Sequence, residues 1–246
     1  MAGNRPRNMS REPESLGFYA TPEHECSYLP GRKATTLFAD PDLPKNRVLY
    51  SSQAGIGFRR SGEPVYQPYC HNCSAWVPIR IPVREFRANR NQRRNWKHNR
   101  DLTCIVQEAL FREEHFNLYQ RYIYSRHAGG GMDNPGVDNY MNFLTASWAD
   151  TRFIEFRHEG TLVAVAVIDM MDDALSAVYT FFDPDQHARS PGRYAILYEI
   201  ELARHYRFQW LYLGYWIDEC NKMNYKTEYR PHECFIGTRW VRSDDP

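Results

Sequence analysis

Residues 152–182, RFIEFRHEGTLVAVAVIDMMDDALSAVYTFF, decide the fold of this chain. Three apolar or alternating segments lie within them, at 152–157, 162–169 and 174–182, and each has the length and composition of a strand. The segments are separated by only four residues each time, which is short enough for antiparallel hairpins. We therefore predict three consecutive strands that form a meander.

The sequence after the meander has the signals of a helix followed by another strand. Ser190 is suited to the N-cap and Pro191 to the first helical position of a helix that runs to residue 207. Its inward-facing residues at helical spacing are Ile196, Ile200 and Ala203. A strand is predicted next, at 210–214, which makes this unit resemble a strand–helix–strand crossover.

Two helices are predicted before the meander. The first covers residues 108–127 and is expected to end at Gly129, Gly130 and Gly131. The second is shorter, and its apolar residues at helical spacing are Tyr140, Phe143, Leu144 and Trp148. Two helices, a meander and a crossover helix with a further strand form the element order of the Gcn5-related N-acetyltransferase fold. We expect an α/β (α+β) protein with a C-terminal domain of this type.

The charge of the chain is unevenly distributed. The whole sequence has 31 Lys and Arg against 30 Asp and Glu, whereas residues 80–100 contain eight basic residues and a single acidic one, Glu85. Residues 84–100 lack Pro and Gly, and the spacing of Arg87, Arg90, Arg94 and Lys97 predicts one face of a helix. A solvated charged surface is the ordinary explanation, but this density of arginine favours contacts with nucleic acid phosphates, and RNA in particular.

The charge asymmetry suggests two domains after a polar leader. We predict a disordered lead at 1–15, a basic module at 16–105 that contains Cys70 and Cys73, and an acetyltransferase-like domain at 106–246. Residues 16–80 predict small strands, turns and loops, including a short apolar run at 47–50. The sequence has no apolar run long enough for a membrane span and no secretory signal at its start, so a cytoplasmic protein is expected.

Eight short motifs spread over nearly the whole chain resemble one family. They are Cys26-Ser27-Tyr28-Leu29-Pro30, Ala34-Thr35-Thr36-Leu37-Phe38, Gly57-Phe58-Arg59-Arg60-Ser61-Gly62, Tyr66-Gln67-Pro68-Tyr69-Cys70-His71-Asn72-Cys73, Asn91-Gln92-Arg93-Arg94, Ser176-Ala177-Val178-Tyr179-Thr180, Tyr212-Leu213-Gly214-Tyr215-Trp216 and Lys222-Met223-Asn224-Tyr225-Lys226. The chain is thereby similar to the bacterial aminoacyl-tRNA protein transferases, which are related to the eukaryotic arginyltransferases.

The resemblance implies an enzyme and a reaction. Within the family, the chain is most similar to members that move leucine from leucyl-tRNA to the α-amine of proteins beginning with Asp or Glu, which marks them for N-degron proteolysis. The chemistry is aminolysis of the aminoacyl ester, in which positioning and oxyanion stabilisation should dominate. Three alternatives stay open: arginyl transfer by the same mechanism, RNA binding without catalysis, and a CoA-dependent acetyltransferase. Pro191 disfavours the last, because it interrupts the amide cradle that a pyrophosphate needs.

The same resemblance assigns candidate residues. Arg59 and Arg60 are expected to bind the acceptor carboxylate together with Tyr66, although Arg-Arg-Ser-Gly also suits an exposed turn. Tyr215 and Tyr225 are the candidate catalytic residues, against the alternative that they only pack, since the chain has 17 tyrosines. The residues expected to contact tRNA are Arg87, Arg90, Arg93, Arg94, Lys97, Lys222, Lys226 and Arg230.

The cysteines raise the question of a metal. We expect no cofactor, with a zinc ion or an iron–sulfur cluster on Cys26, Cys70 and Cys73 as the alternative that the eukaryotic relatives imply. A lone Cys-x-x-Cys supplies two of the four ligands that zinc requires. In this chain Trp76 stands where the family often has a further cysteine, which weakens the metal interpretation.

Overall fold

The computed structural model describes residues 17–127 and 136–243. The predicted lead at 1–15 and the helix end at Gly129–Gly131 lie outside these residues. The strands are β1 (Phe18–Ala20), β2 (His24–Glu25), β3 (Lys33–Ala34), β4 (Thr36–Ala39), β5 (Arg59–Arg60), β6 (Val65–Pro68), β7 (Val77–Pro82), β8 (Leu102–Glu108), β9 (Asp150–His158), β10 (Thr161–Met170), β11 (Ala174–Phe182), β12 (Trp210–Trp216), β13 (His232–Ile236) and β14 (Arg239–Ser243). The helices are α1 (Arg47–Gly55), α2 (Arg90–His98), α3 (Glu113–His127), α4 (Val137–Leu144) and α5 (Pro191–His205), with 3-10 helices at Pro184–Arg189 and Asn224–Glu228. Within the described ranges, no helix is long and apolar enough to cross a membrane.

A large mixed sheet forms the centre of the protein. Its eight strands lie in the order β14-β13-β7-β12-β11-β10-β9-β8. The predicted meander is confirmed as β9, β10 and β11, which pair antiparallel in sequence order. The crossover is confirmed as well, since α5 leads from β11 to β12 and these two strands are parallel. This is the element order of an acetyltransferase-like α/β domain.

The sheet is apolar on both faces, because successive side chains of a strand point to opposite faces and both sets are apolar here. Along β10, Ala164, Ala166 and Ile168 belong to a core that α5 covers, whereas Val165 and Val167 belong to a second core under α3 and α4. A three-layer arrangement follows, with the sheet between helices.

The parallel pairing between β11 and β12 stops early. It joins three residue pairs and ends at Ser176 and Tyr212, although β11 continues to Phe182 and β12 to Trp216. A register shift relative to β7 occurs between Tyr212 and Tyr215, where Gly214 has a φ of 80° that only glycine adopts without strain. The two strands therefore separate beyond Ser176, and a cleft opens between them.

The basic helix is shorter than predicted. Helix α2 begins at Arg90 rather than near residue 84, because Asn89 and Gln92 form a reciprocal capping box in which each side chain accepts from the other residue's backbone N–H. Arg84 and Arg87 lie before the helix in a turn, where they donate to backbone carbonyls. The prediction of one continuous basic helix was therefore wrong for the residues before Arg90.

Other boundaries differ for local reasons. The helix predicted from residue 108 starts at Glu113, since residues up to Glu108 pair with β9 as strand β8. Residues 47–50 begin helix α1 rather than a strand, because the Asn46 side chain accepts from the backbone N–H of Leu49 and caps the helix. Ser190 does precede α5, but its side chain makes no capping hydrogen bond.

The N-terminal part forms a small second sheet, ordered β1-β4-β6-β5, which packs with α1 against the large sheet. Their shared apolar cluster includes Tyr50, Phe58, Met171 and Tyr212. Strand β7 and the start of β8 come from the predicted N-terminal module, 16–105, yet both pair within the large sheet. The proposed division at residues 105 and 106 stays a prediction.

Candidate functional site

The cleft between β11 and β12 brings together residues from both sheets. Its inner end lies where the parallel pairing stops, and there the Tyr50 hydroxyl is 3.3 Å from Ser176 Oγ. Residues 177–180 of β11 are partly exposed, whereas the paired residues before them are buried. The cleft is thus the place where the interior of the large sheet becomes accessible.

The two adjacent arginines of β5 point to opposite sides of their strand. Arg59 pairs with Tyr66 on β6 and Arg60 pairs with Val65, so Arg59 shares a face with Tyr66. Both arginines are nearly inaccessible, with 4% and 6% of their surface exposed. Because successive side chains of a strand point to opposite faces, the two arginines have different partners.

Arg60 holds a carboxylate inside the protein, although its buried Nη1 has no partner among the described residues. Its Nε and Nη2 donate to the two carboxylate oxygens of Asp169 at 2.6 and 2.7 Å, and Nη2 also donates to Leu144 O and Thr151 Oγ1. Although burial opposes the charge, the hydrogen bonds and the charge of Asp169 raise the pKa of Arg60. This bidentate ion pair attaches the small sheet to β10, and it leaves Arg60 no free fork for a substrate.

Arg59 is not satisfied in this way. Its Nη1 donates to the carbonyl of Phe58 at 3.0 Å, and its guanidinium lies 4.5 Å from the centre of the Tyr212 ring. Nε and Nη2, the same two nitrogens with which Arg60 holds a carboxylate, are buried and have no hydrogen-bond partner in the described structure. A buried charge without a partner is costly, so an arginine in this state is prepared for an anionic ligand.

Aromatic rings line the cleft beside Arg59. Tyr215 packs against Tyr66 and Trp76 with ring centres 6.0 and 5.5 Å apart, and Trp76 meets the edge of Tyr28 at 4.8 Å. The Tyr215 hydroxyl donates to the carbonyl oxygens of Gly57 and Tyr66, at 3.0 and 3.1 Å. Burial raises the pKa of Tyr215 well above its usual value. These contacts give Tyr215 a positioning role, since its proton is already shared between two backbone oxygens.

Lys226 also lies near Tyr215 and Arg59, although the sequence predicted that it contacts tRNA together with Lys222. Only 6% of Lys226 is exposed, and its Nζ donates to the carbonyl oxygen of Tyr215 at 2.5 Å. Burial, and then the positive charge of Arg59, lower the pKa of Lys226 to about 7. Lys222 is exposed.

Tyr225 stands further along the cleft, one residue before Lys226. Burial raises its pKa to about 12, with smaller effects of Glu199, Tyr122 and Arg126, which all lie near enough to act on its charge. Its hydroxyl makes no hydrogen bond within the described residues and stays protonated at neutral pH. Tyr225 is therefore able to donate a hydrogen bond to a ligand in the cleft.

Glu199 is a residue that the sequence did not single out. It lies on helix α5 and is fully buried, and neither of its carboxyl oxygens has a partner among the residues that the structure describes. Burial raises the pKa of Glu199 to about 8, so the group is largely protonated at pH 7. The only sequence signal was its spacing, four residues after Ala195 on the buried side of α5.

Helix α2 presents an unpaired basic surface. Arg90, Arg93, Arg94 and Lys97 are all exposed, and no carboxylate in the described parts of the chain lies within ion-pair distance of any of them. Arg93 Nη1 donates to the carbonyl oxygen of Ala88. The surface is thus free to attract an anionic partner.

A cavity of about 370 Å³ lies between α2 and the start of α5. Its lining residues are mostly polar or basic: Asn91, Gln92, Arg94, Asn95, His98, Ala188, Ser190, Arg193 and Leu197. Gln92 also donates to the carbonyl oxygen of Glu228 at 3.1 Å, which connects α2 to the 3-10 helix that carries Tyr225. The basic surface and the cleft are therefore neighbours, joined through this segment.

Arg230 lies beside the segment that leads into α2, not on the helix. It precedes a cis proline, its backbone oxygen accepts from Arg87 N at 3.1 Å, and its Nη1 is buried. Of the residues proposed to contact tRNA, the structure collects Arg90, Arg93, Arg94 and Lys97 on one helix and places the others elsewhere.

The cysteines do not form a ligand set. Cys73 Sγ lies 3.7 Å from Arg32 Nη1, and Cys70 Sγ lies 3.8 Å from the carbonyl oxygen of Thr35. In the ranges that the structure describes, no three His, Cys, Asp or Glu side chains come together as metal ligands. Cys26, Cys70 and Cys73 in this arrangement fit neither a tetrahedral zinc site nor a cluster.

Comparisons with known proteins agree with the motifs. The family model described as the N terminus of arginine-tRNA-protein transferase matches residues 24–94, and the model for the C terminus matches residues 114–236. An aspartate/glutamate leucyltransferase of Hahella chejuensis is 50% identical over 227 residues, which cover 92% of this chain and 97% of that protein. Another from Pseudomonas fluorescens (strain SBW25) is 52% identical over 226 residues, covering 92% and 96%.

Among solved structures, FemX covers 90% of this chain and 89% of its own, with a TM-score of 0.47 and 9% identity, a likeness too distant to bear on the site. The two curated relatives, in contrast, match at high identity over nearly their whole lengths. The chain therefore belongs to the aspartate/glutamate leucyltransferases of the arginine-tRNA-protein transferase family.

Proposed function

We propose that this protein transfers leucine from leucyl-tRNA to the α-amine of proteins that begin with Asp or Glu. The observation that carries the proposal is the buried fork of Arg59, whose Nε and Nη2 have no partner within the described ranges and lie at the inner end of the cleft. The neighbouring Arg60 holds Asp169 with the same two nitrogens at 2.6 and 2.7 Å. An acidic N-terminal side chain can make the same bidentate contact with Arg59.

The acceptor α-amine is then held near the exposed part of the cleft. Tyr66 and Tyr215 pack against each other beside Arg59, and Tyr225 has a protonated hydroxyl without a hydrogen bond among the described residues. During aminolysis the ester carbonyl becomes a tetrahedral oxyanion, and a hydrogen bond from Tyr225 would stabilise its developing charge. The energy for the new amide bond comes from the aminoacyl ester itself.

The tRNA approaches from the side of helix α2. Its four exposed cations have no carboxylate partners among the described residues, which suits phosphate contacts that depend on charge rather than base identity. The cavity between α2 and α5 adds Arg193 and His98 beside Arg94. From there the 3-10 helix Asn224–Glu228 leads to the cleft, so the acceptor end has a short path to Arg59.

Acetyl-CoA is disfavoured as the donor. Ser190, before α5, has a φ of 49°, and Pro191 at the first helical position lacks an N–H. A pyrophosphate at this helix start would lack one of the backbone amides that cradle it in acetyltransferases. The phosphate-binding part of the donor site is better supplied by side chains of α2, which fits tRNA.

Arginyl transfer is the second candidate. The matching family models are described as arginine-tRNA-protein transferase, and the bond chemistry is the same for either amino acid. An assay should offer leucyl-tRNA and arginyl-tRNA separately to peptides beginning with Asp, Glu, Asn and Ala. We expect transfer of leucine to the two acidic peptides. Transfer of arginine alone, activity with acetyl-CoA, or RNA binding without any transfer would each overturn the proposal.

The biological setting follows from the reaction. A protein that receives leucine at its N-terminus has a new N-terminal residue, and we propose that this marks it for degradation through the N-degron pathway in the cytoplasm. Absence of a bound cofactor stays a prediction, to be checked by metal analysis of the reduced protein.

A further inference from the structure

Lys226 is a buried cation that has no acidic partner in the described parts of the chain. Its Nζ donates to Tyr215 O at 2.5 Å and approaches the sulfur of Met223 at 3.7 Å, and both of these groups are neutral. A Cβ at Gly214 would lie 3.7 Å from Nζ, so the amine sits directly against the bulge of β12. No carboxylate of the described chain lies within ion-pair distance of it.

The titratable groups that face Lys226 come from two other segments. Arg59 on β5 acts on it with a like charge, and Cys220, in the loop after β12, acts in the opposite sense. Burial is the largest influence and Arg59 the second, and together they lower the pKa of Lys226 to about 7. A neutral amine is therefore accessible at this position near neutral pH.

We propose that Lys226 is the base that accepts a proton from the acceptor's α-ammonium, and that the acceptor's own acidic side chain, bound to Arg59, draws the proton there. The inference rests on the leucyl transfer function. The acidic side chain then promotes catalysis as well as binding, and Lys226 contributes to the specificity for Asp and Glu.

The electrostatic reason is the change that a carboxylate makes beside Arg59. In the free protein Arg59 repels a proton from Lys226, because the two cations are both buried and no described carboxylate serves as their counter-ion. A bound carboxylate compensates Arg59 and attracts the proton, so Lys226 becomes a stronger base when an acidic acceptor arrives. A neutral Asn side chain does not bring this charge.

The protons and bonds of the transfer balance. The acceptor enters with three protons on its α-nitrogen, and one passes to the neutral amine of Lys226. The nitrogen then attacks the ester carbonyl and forms the C–N bond, and the C–O bond to the ribose breaks with its electron pair on the ribose oxygen. The second proton goes to that oxygen, the third stays on the amide, and Lys226 releases its proton to solvent after the product leaves.

Two substitutions separate this role from others. Lys226→Met removes the base, and Lys226→Arg keeps a positive charge that cannot deprotonate. With saturating Asp-initiated peptide, we expect both variants to lower the single-turnover rate about 15–30-fold at pH 6.5, because only about one α-amine in twenty is neutral there without a base. The loss should shrink roughly tenfold per pH unit towards pH 8, where the α-amine is neutral without help. Lys33→Met, a change of an exposed lysine paired with Glu25, serves as the control.

The outcomes are distinguishable. Retained activity in Lys226→Arg, with a raised KM in Lys226→Met, would show that Lys226 only binds the carboxylate and would overturn the inference. A loss that is equal at all pH values would show a structural role and overturn it as well. Failure of the unmodified protein to transfer leucine would overturn the proposed function itself.

A comparison of acceptors tests the inference without any substitution. The unmodified protein should transfer leucine to a saturating Asn-initiated peptide with a kcat at least tenfold lower than to the Asp-initiated one. Equal kcat values, with a difference only in KM, would mean that the acidic side chain contributes to binding at Arg59 but not to proton transfer, and would overturn the inference.

Discussion

Replacing Glu199 by Gln should make the stability of the protein less dependent on pH. Glu199 is fully buried on α5, and neither carboxyl oxygen has a hydrogen-bond partner in residues 17–127 and 136–243. Burial raises its pKa from 4.5 to about 8. The folded state therefore binds a proton that the unfolded state releases between these pH values, and stability falls as pH rises through that window.

The size of the effect follows from the shift. A difference of about 3.5 pKa units corresponds to at most about 5 kcal/mol of unfolding free energy, all of it present below pH 4.5 and lost above pH 8. Gln has nearly the same shape and does not ionise. The variant should thus match the natural protein within about 1 kcal/mol at pH 5 and exceed it by several kcal/mol at pH 9.

The assay is urea unfolding of both proteins at pH 5, 7 and 9, because all other titrating groups are shared and cancel in the difference. Glu201→Gln is the matched control, since Glu201 lies on the same helix but has 48% of its side chain exposed and pairs with Arg204. A free-energy difference for Glu199→Gln that stays constant with pH would refute the argument, because it would mean that Glu199 is charged and solvated in the folded protein.

Three further predictions concern the arginines and the basic helix. Arg60→Met should lower the unfolding free energy by about 3–5 kcal/mol, because it leaves a buried carboxylate unpaired; a stable variant with altered acceptor choice would contradict the structural role of Arg60. Arg93→Glu with Arg94→Glu should weaken tRNA binding and reduce the slope of log K against log salt by about two, as filter binding can measure; an unchanged slope would exclude α2 as a phosphate contact. Asn89→Ala should destabilise α2 by about 1 kcal/mol, visible as faster amide exchange in Arg90–His98 alone.

The regular elements were predictable because their signals are local. The meander β9–β11 and helix α5 carry strong periodicity and short connectors, and these predictions were confirmed. Helix α1 and the late start of α2 were not predicted, although Asn46 and Asn89 are good N-caps, because the short apolar run at 47–50 also suits a strand and the arginine spacing also suits a longer helix.

The site was only partly predictable, because it depends on partners far apart in sequence. Arg59 and Arg60 are adjacent and chemically identical, and nothing local indicates that one of them meets Asp169, 109 residues later, while the other stays free. The burial of Lys226 has the same origin, since it follows from packing against the bulge at Gly214. Contacts between residues far apart in sequence thus give different environments to residues that look equivalent in the sequence.

The proposed transfer depends on the free fork of Arg59, which binds the acidic side chain of the acceptor. The most direct test is the ratio of kcat/KM for leucine transfer to Asp-initiated over Asn-initiated peptides, measured for the natural protein and for Arg59→Gln. We predict a ratio of at least a hundred for the natural protein that falls to near one in the variant, through loss of the acidic peptide. A ratio that survives in Arg59→Gln would contradict the claim and place acceptor recognition elsewhere.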